Sequence, residues 1–179
     1  MSATQNLRVG SPDHATALLA AVSGPGTGDA RWWFGQLALI KAGALETHGR
    51  YTLVEIVAPA DYATPLHAHG REDEAFWILD GEAVFDVGGE TFDASVGSYV
   101  VAPRGVVHRF TAGAGGARIL YLFTPGGFER YIRATSVAAP QLIIPPADVT
   151  PPENVAEIAR AFGTEIFGDE SRESEAVPS

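Results

Sequence analysis

"PLHAHGREDEAFWILDG", Pro65 to Gly81, decides how the rest of the chain is read. It sets His67 and His69 one residue apart in a chain with only five histidines. The charged run Arg71-Glu72-Asp73-Glu74 follows, then an apolar stretch closed by Asp80-Gly81. Residues i and i+2 of a strand point to the same face. In extended chain His67 and His69 therefore project together, and Glu74 shares a face with Phe76 and Ile78. Two readings compete at this point. Either the imidazoles and a carboxylate hold a metal, or the stretch is a solvated, charged loop that contains histidine.

The surrounding chain reads as short strands rich in β-branched and aromatic residues. They are "TLVEIV" (Thr52 to Val57), "AFWIL" (Ala75 to Leu79), "AVFDV" (Ala83 to Val87), "SYVVA" (Ser98 to Ala102), "VVHRFT" (Val106 to Thr111) and "ARILYLFT" (Ala117 to Thr124). "WWFGQLALI" (Trp32 to Ile40) reads as a further strand. Asp80-Gly81 and Gly88-Gly89 fit two-residue hairpin turns. Ala102-Pro103-Arg104-Gly105 fits a type I turn with Pro second and Gly fourth. Many short strands at close spacing predict an all-β sandwich or barrel from Trp32 to Thr124.

Residues 1–31 read as an N-terminal arm. Its apolar segment "ATALLAAV" (Ala15 to Val22) is expected as a short helix or strand rather than a signal peptide, since only Arg8 precedes it as a basic residue. Residues 125–167 read as a C-terminal extension. It holds a short helix at "GGFERYIRA", a Pro-rich connector and a second helix from Pro152 to Phe162. Thr150 and Glu153 suggest a capping box, Pro151 the first helical position and Gly163 the stop. This helix is expected to pack outside the barrel or to cap one mouth. Residues 168–179 form an acidic tail expected to be disordered. His14 and His48 read as surface histidines, and Glu72 and Asp73 as solvated charges in a turn.

Composition removes several chemistries. The 179 residues carry a net charge of -10, which disfavours a nucleic-acid surface. There is no cysteine, so thiol nucleophiles, disulfides and thiolate metal sites are excluded. Lys41 is the sole lysine and offers little for Schiff-base chemistry. No apolar run approaches the ~20 residues that span a bilayer. A cytoplasmic protein without membrane or nucleic-acid partners is expected.

His108 shares a strand face with Val106 and Phe110. If the barrel closes with these faces inward, His67, His69, Glu74 and His108 converge. Imidazole with carboxylate suits one divalent transition ion: Fe, Mn, Ni, Co, Cu or Zn. Phe76, Ile78 and Phe110 then either wall an apolar substrate pocket or are ordinary barrel core.

The spacing is His67-x-His69, four residues, Glu74, six residues, Gly81; then Gly97, five residues, Pro103-x-Gly105, two residues, His108. This resembles the two motifs of the cupin superfamily, G(X)5HXH(X)3–4E(X)6G and G(X)5PXG(X)2H(X)3N. Asp61 replaces the first glycine and Ala112 the final asparagine. The resemblance implies an antiparallel jelly-roll barrel with His67, His69, Glu74 and His108 as metal ligands. The stretch also looks like the small single-domain cupins grouped with quercetinases. That implies a dioxygenase using O2 on an enolisable, flavonol-like small molecule, with Glu74 as catalytic base. The same site would serve a non-oxidative isomerase or cyclase acting on a polyketide- or sugar-like small molecule, or a small-molecule-binding module without turnover. The likeness also implies a homodimer, for which "LLAAV" and "WWFGQLALI" are the apolar candidates.

Overall fold

The structure, a computed structural model, describes residues 22–168. The expectations for residues 1–21, which hold His14 and most of the apolar arm segment, lie outside the described residues. So do those for residues 169–179 of the acidic tail.

Chain order gives β1 (Asp29–Trp33), β2 (Gln36–Ala42), α1 (Ala44–Thr47), β3 (Thr52–Ala58), β4 (His67–His69), β5 (Asp73–Val87), β6 (Glu90–Ser95) and β7 (Tyr99–Ala102). Then come β8 (His108–Thr124), α2 (Glu129–Ala134), β9 (Val137–Ala138), α3 (Val155–Ala161) and β10 (Thr164–Ile166). Every strand pairing is antiparallel. The long strands β5 and β8 form a central ribbon that belongs to two sheets. Its β8 end from Ala117 to Phe123 pairs with β3, which continues through β2 and β1 to β9. On the other side of this half, Glu74 to Trp77 of β5 pair with β7. The far half of the ribbon carries β6 beside β5, and β4 then β10 beside β8. The result is an antiparallel jelly roll, with the inward faces of both sheets forming one core around Ile56, Ile78, Phe85, Phe110, Ile119 and Phe123.

Several local expectations change. Asp80-Gly81 is not a hairpin: it lies inside β5, at a break in register between Ile78 and Ala83. "AFWIL" and "AVFDV" are therefore one strand. "ARILYLFT" and His108 to Thr111 of "VVHRFT" likewise belong to β8, joined through Ala112 and then Gly113, Ala114, Gly115 and Gly116, which stand opposite the single residue Glu82. The bulge lets both strands turn from one sheet into the other. Conversely, "WWFGQLALI" is two strands. Trp33 pairs with Gln36 across Phe34-Gly35, whose φ values of 50 and 81° suit a two-residue hairpin. That pairing also starts β1 at Asp29, three residues inside the expected arm.

Gly88-Gly89 does form the expected turn, with Val87 paired to Glu90 and φ values of 60 and 88°. The Pro103 turn is shifted by one residue. Val106 N–H donates to Pro103 O at 2.9 Å, and Gly105, third in the turn, has φ 78°, which a type I turn does not allow. The C-terminal helix starts later than expected, after Asn154, and no side-chain cap bond forms at its start. Val155 N–H instead turns back to Pro152 O at 3.1 Å. Gly163, at φ 86°, follows the helix as predicted.

Leu37, Leu39 and Ile40 of β2 are buried, so this strand does not offer the exposed patch on which an interface was expected. Among the described residues no helix is long and apolar enough to cross a membrane.

Val54 and Ile56 of β3 face the core, so Glu55 between them faces outward. Its carboxylate meets Lys41 at 2.9 Å and Arg118 at 3.3 Å. The sole lysine is thus engaged on the outer face. Burial would raise the Glu55 carboxyl, but the two cations hold it below its ordinary value. A depressed carboxylate stabilises the fold above its unfolded pKa and loses that contribution as pH falls through the folded one. Glu55→Gln is expected to cost about 1–2 kcal/mol at pH 7, with the difference shrinking below about pH 4. Denaturant midpoints of both proteins at pH 7 and pH 3 check this; an equal penalty at both would dissociate it from the ion pair.

Candidate metal centre

Two segments build the site, and a short turn knits them together. Gly105 N–H donates to His69 O and Arg104 N–H to Asp73 Oδ1, each at 2.8 Å. The Pro-x-Gly turn therefore grips both β4 and the start of β5. It then delivers His108 directly opposite His67 in register. The two motif departures are accommodated. Asp61 takes φ 56°, a left-handed conformation that Asp tolerates better than most residues. Ala112 is buried, and its N–H donates to Tyr62 O at 2.8 Å.

His67, His69, Glu74 and His108 each bring one ligand atom into a group spanning no more than 4.8 Å. Glu74 Oε2 lies 2.9 Å from His69 Nε2, 3.0 Å from His108 Nε2 and 4.0 Å from His67 Nε2. The far ring nitrogens are held from behind. His67 Nδ1 contacts Pro65 O at 2.9 Å and His108 Nδ1 contacts Val106 O at 2.9 Å. A carbonyl only accepts, so both Nδ1 atoms carry the proton. In the neutral rings Nε2 is then a lone pair directed at a carboxylate. Two lone-pair atoms 3.0 Å apart are stable only with a cation between them or with the imidazole protonated. At His108 burial would lower the imidazole, but the Glu74 carboxylate raises it above its ordinary value. Burial, with His108 and His69 adding to it, pushes His67 down to about 3. Glu74 would be raised by burial, yet the imidazoles, His69 foremost, hold it well below the usual carboxylate range. Neutral imidazole and ionised carboxylate with backed-up ring nitrogens are what a divalent ion of the transition series requires. The residues fit one such ion.

The cluster opens into a cavity of about 300 Å³ with largely apolar walls. Phe76 and Phe110 line it. Ile78 does not: it lies one inward-facing position beyond Phe76, opposite Ile119, and is fully buried in the core. Glu72 also differs from the expectation. It is buried rather than solvated, and burial raises its carboxyl. Asp73 is tied to the Pro-x-Gly turn. His48 is exposed, at the end of α1.

Residues 53–123, from β3 to the end of β8, match the family model described as the cupin domain. The chain carries a cupin domain. All four cluster residues fall within it. Two curated relatives are similar to the chain. An uncharacterized protein of Streptomyces coelicolor, SCO3923, is 37% identical over 54 residues, or 30% of this chain and 51% of its own length. The quercetin 2,3-dioxygenase of Bacillus subtilis is 25% identical over 108 residues, 60% of this chain and 32% of the relative. The chain thus spans about half of the first and a third of the second. Among solved structures, an RmlC-like cupin from Shewanella frigidimarina covers 60% of this chain and 93% of itself, with a TM-score of 0.53 at 17% identity. That likeness supports the fold alone.

The cavity is not built by the cupin domain alone. Trp33 and Phe34 enter from the β1–β2 hairpin, Phe128 and Tyr131 from the α2 region, and Pro151 and Val155 from the C-terminal extension. Phe128 stacks on Phe123 at 3.8 Å and meets His69 edge-on at 5.0 Å. Thr164 of β10 pairs with His69 in register, and its hydroxyl contacts His69 Nδ1 at 3.1 Å. The motif spacing contains no signal for Thr164, which lies far beyond it. Its role resembles that of the carbonyls behind His67 and His108. Thr164→Val is expected to weaken metal binding by about tenfold, the lower end for loss of a hydrogen bond behind a ligand. Chelator competition at fixed pH measures it; unchanged affinity would make the contact incidental.

Proposed function

We propose that this cupin is a metal-dependent dioxygenase of the quercetinase type, which opens an enolisable, flavonol-like aromatic with O2. The observation that carries this reading is the position of Glu74: an ionised, buried carboxylate where a three-histidine cluster meets an apolar cavity. A relative named quercetin 2,3-dioxygenase, though distant, agrees with it.

His67, His69, Glu74 and His108 would hold the ion, and a bound divalent ion would supply Lewis-acid stabilisation of negative charge developing on a substrate oxygen. Phe76 and Phe110 orient a flat aromatic ring and exclude water from the reacting end. Glu74 starts ionised, so it enters the reaction as a base. Its low proton affinity comes from the imidazoles. Rotation of the carboxylate toward the cavity weakens those contacts and leaves it in apolar surroundings, which raises its proton affinity as it reaches the substrate hydroxyl.

The test is metal analysis of the purified protein, followed by oxygen uptake with quercetin. Stoichiometric O2 consumption with ring opening supports the reading. Turnover of an enolisable substrate without O2 consumption would replace it with an isomerase or cyclase using the same Glu74.

A further inference from the structure

The apolar cavity has a polar end that the proposed chemistry does not use. Tyr121 of β8 sits opposite Phe76 of β5 and Val54 of β3, one inward-facing position from Phe123. Only 3% of it is exposed, and its hydroxyl has no hydrogen-bond partner among the described residues. Gln36, at the start of β2, is 1% exposed. Its Nε2 donates to the Tyr62 hydroxyl at 2.8 Å, while its Oε1 has no partner among the described residues. Gln36, Tyr62 and Tyr121 all line the cavity that contains the histidines.

Unpaired polar atoms in a protein interior are costly and uncommon. Other buried polar groups are paired within the chain: Trp33 Nε1–H, on the cavity wall, donates to Thr135 Oγ1 at 2.9 Å, and Thr52 Oγ1 donates to Glu129 at 2.6 Å. Among the described residues four buried side-chain atoms lack a partner: Gln36 Oε1, Tyr121 Oη, Glu72 Oε2 and Ser136 Oγ. Of these only Gln36 and Tyr121 belong to residues that line the cavity with the histidines, where a ligand can complete the bonding.

We propose that Tyr121 and Gln36 form the specificity end of the substrate site, with Tyr121 O–H donating to a substrate oxygen and Gln36 Oε1 accepting from a substrate hydroxyl. The inference deepens the reading above, because it rests on the cavity being the substrate site. It restricts the substrate to aromatic molecules with a hydroxyl and an oxygen acceptor beyond those presented to Glu74. Unadorned aromatics would leave both protein groups unpaired and be rejected. The phenol is suited to donate. Burial, then the Glu74 charge and Tyr62, raises it well above its ordinary value, so it stays protonated. A cavity of about 300 Å³ also suits a compact ring system.

The experiment compares quercetin with flavone, which lacks hydroxyls, on zinc-loaded protein with O2 excluded. Dissociation constants are measured for wild type, Tyr121→Phe and Gln36→Met. Metal chelation by quercetin is common to all three proteins, so the change in the quercetin-to-flavone ratio isolates the two residues. Each variant is expected to lose about 5- to 30-fold on quercetin, the range for one or two kcal/mol of hydrogen bonding, and little on flavone. Melting of the ligand-free proteins supplies a second readout. Tyr121→Phe removes no hydrogen bond to the described protein, so its Tm is expected to hold or rise. An unchanged ratio in both variants overturns the proposal. So does a Tyr121→Phe protein that melts several degrees lower with its ratio intact, since the hydroxyl would then be structural. Oxygen uptake is scored separately. If the ratio shifts as expected but quercetin consumes no O2, the dioxygenase reading fails and the polar end stands.

Discussion

Glu74→Gln is expected to keep most of its metal and lose about 10²–10⁴-fold in turnover, the usual range for a positioned acid–base group. The substitution nearly preserves shape and leaves an amide oxygen able to face the cluster. It removes the negative charge and the basicity. His67, His69 and His108, with ring nitrogens backed by Pro65 O, Thr164 Oγ1 and Val106 O, remain in place. His67→Ala, His69→Ala and His108→Ala should behave differently. Each deletes a nitrogen from the cluster, so metal and turnover fall together. Metal content and oxygen uptake with quercetin, measured on the same preparations, separate the two patterns. A fully active Glu74→Gln protein with metal bound would mean that the glutamate is not the base. A wild type that binds no metal would remove the dioxygenase reading altogether and favour a metal-free binding module.

Much of this site was legible because its determinants are local. His67 and His69 are two residues apart on one strand, and His108 follows a Pro-x-Gly turn at fixed distance. Alternation then directs all of them inward, with Glu74 and Phe76. The jelly roll was legible for the same reason, through β-branched runs separated by glycine. What failed depended on a partner distant in sequence. A glycine with positive φ looks the same in a hairpin and in a bulge. Gly88 turns the chain, whereas Gly81 does not, because Gly81 meets Gly116 on β8. Ile78 kept its strand face but lies too deep to reach the cavity, packed opposite Ile119. Glu72 looked like a solvated turn charge and is buried. Thr164 lies in a three-residue strand, too short to show a pattern. Gln36 and Tyr121 are unremarkable until the cavity brings them together with Tyr62.

Gly81→Ala is expected to destabilise the fold by about 2–4 kcal/mol, the combined scale of backbone strain and overpacking. For a chain of this size that lowers Tm by roughly 5–15 °C. Two independent terms contribute. Gly81 has φ 73°, where an L side chain crowds its own backbone. A Cβ there would also lie 2.3 Å from Gly116 O and 3.1 Å from Ala117 Cα. Both neighbours are backbone atoms, so no rotamer change relieves the contact. Nor can Gly116 withdraw freely, since its own backbone lies against Ala58 O of β3. Three strands thus converge where the central ribbon changes sheets, and the motif glycine is required by that approach. Gly97→Ala provides the control. Gly97 has φ 89° but nothing within 4 Å of its Cβ position, so it carries the conformational cost of about 1–2 kcal/mol alone. Denaturant midpoints of the two variants give the difference. Equal losses would show that the close approach at Gly81 relaxes without cost, and that the glycine serves only its backbone angle.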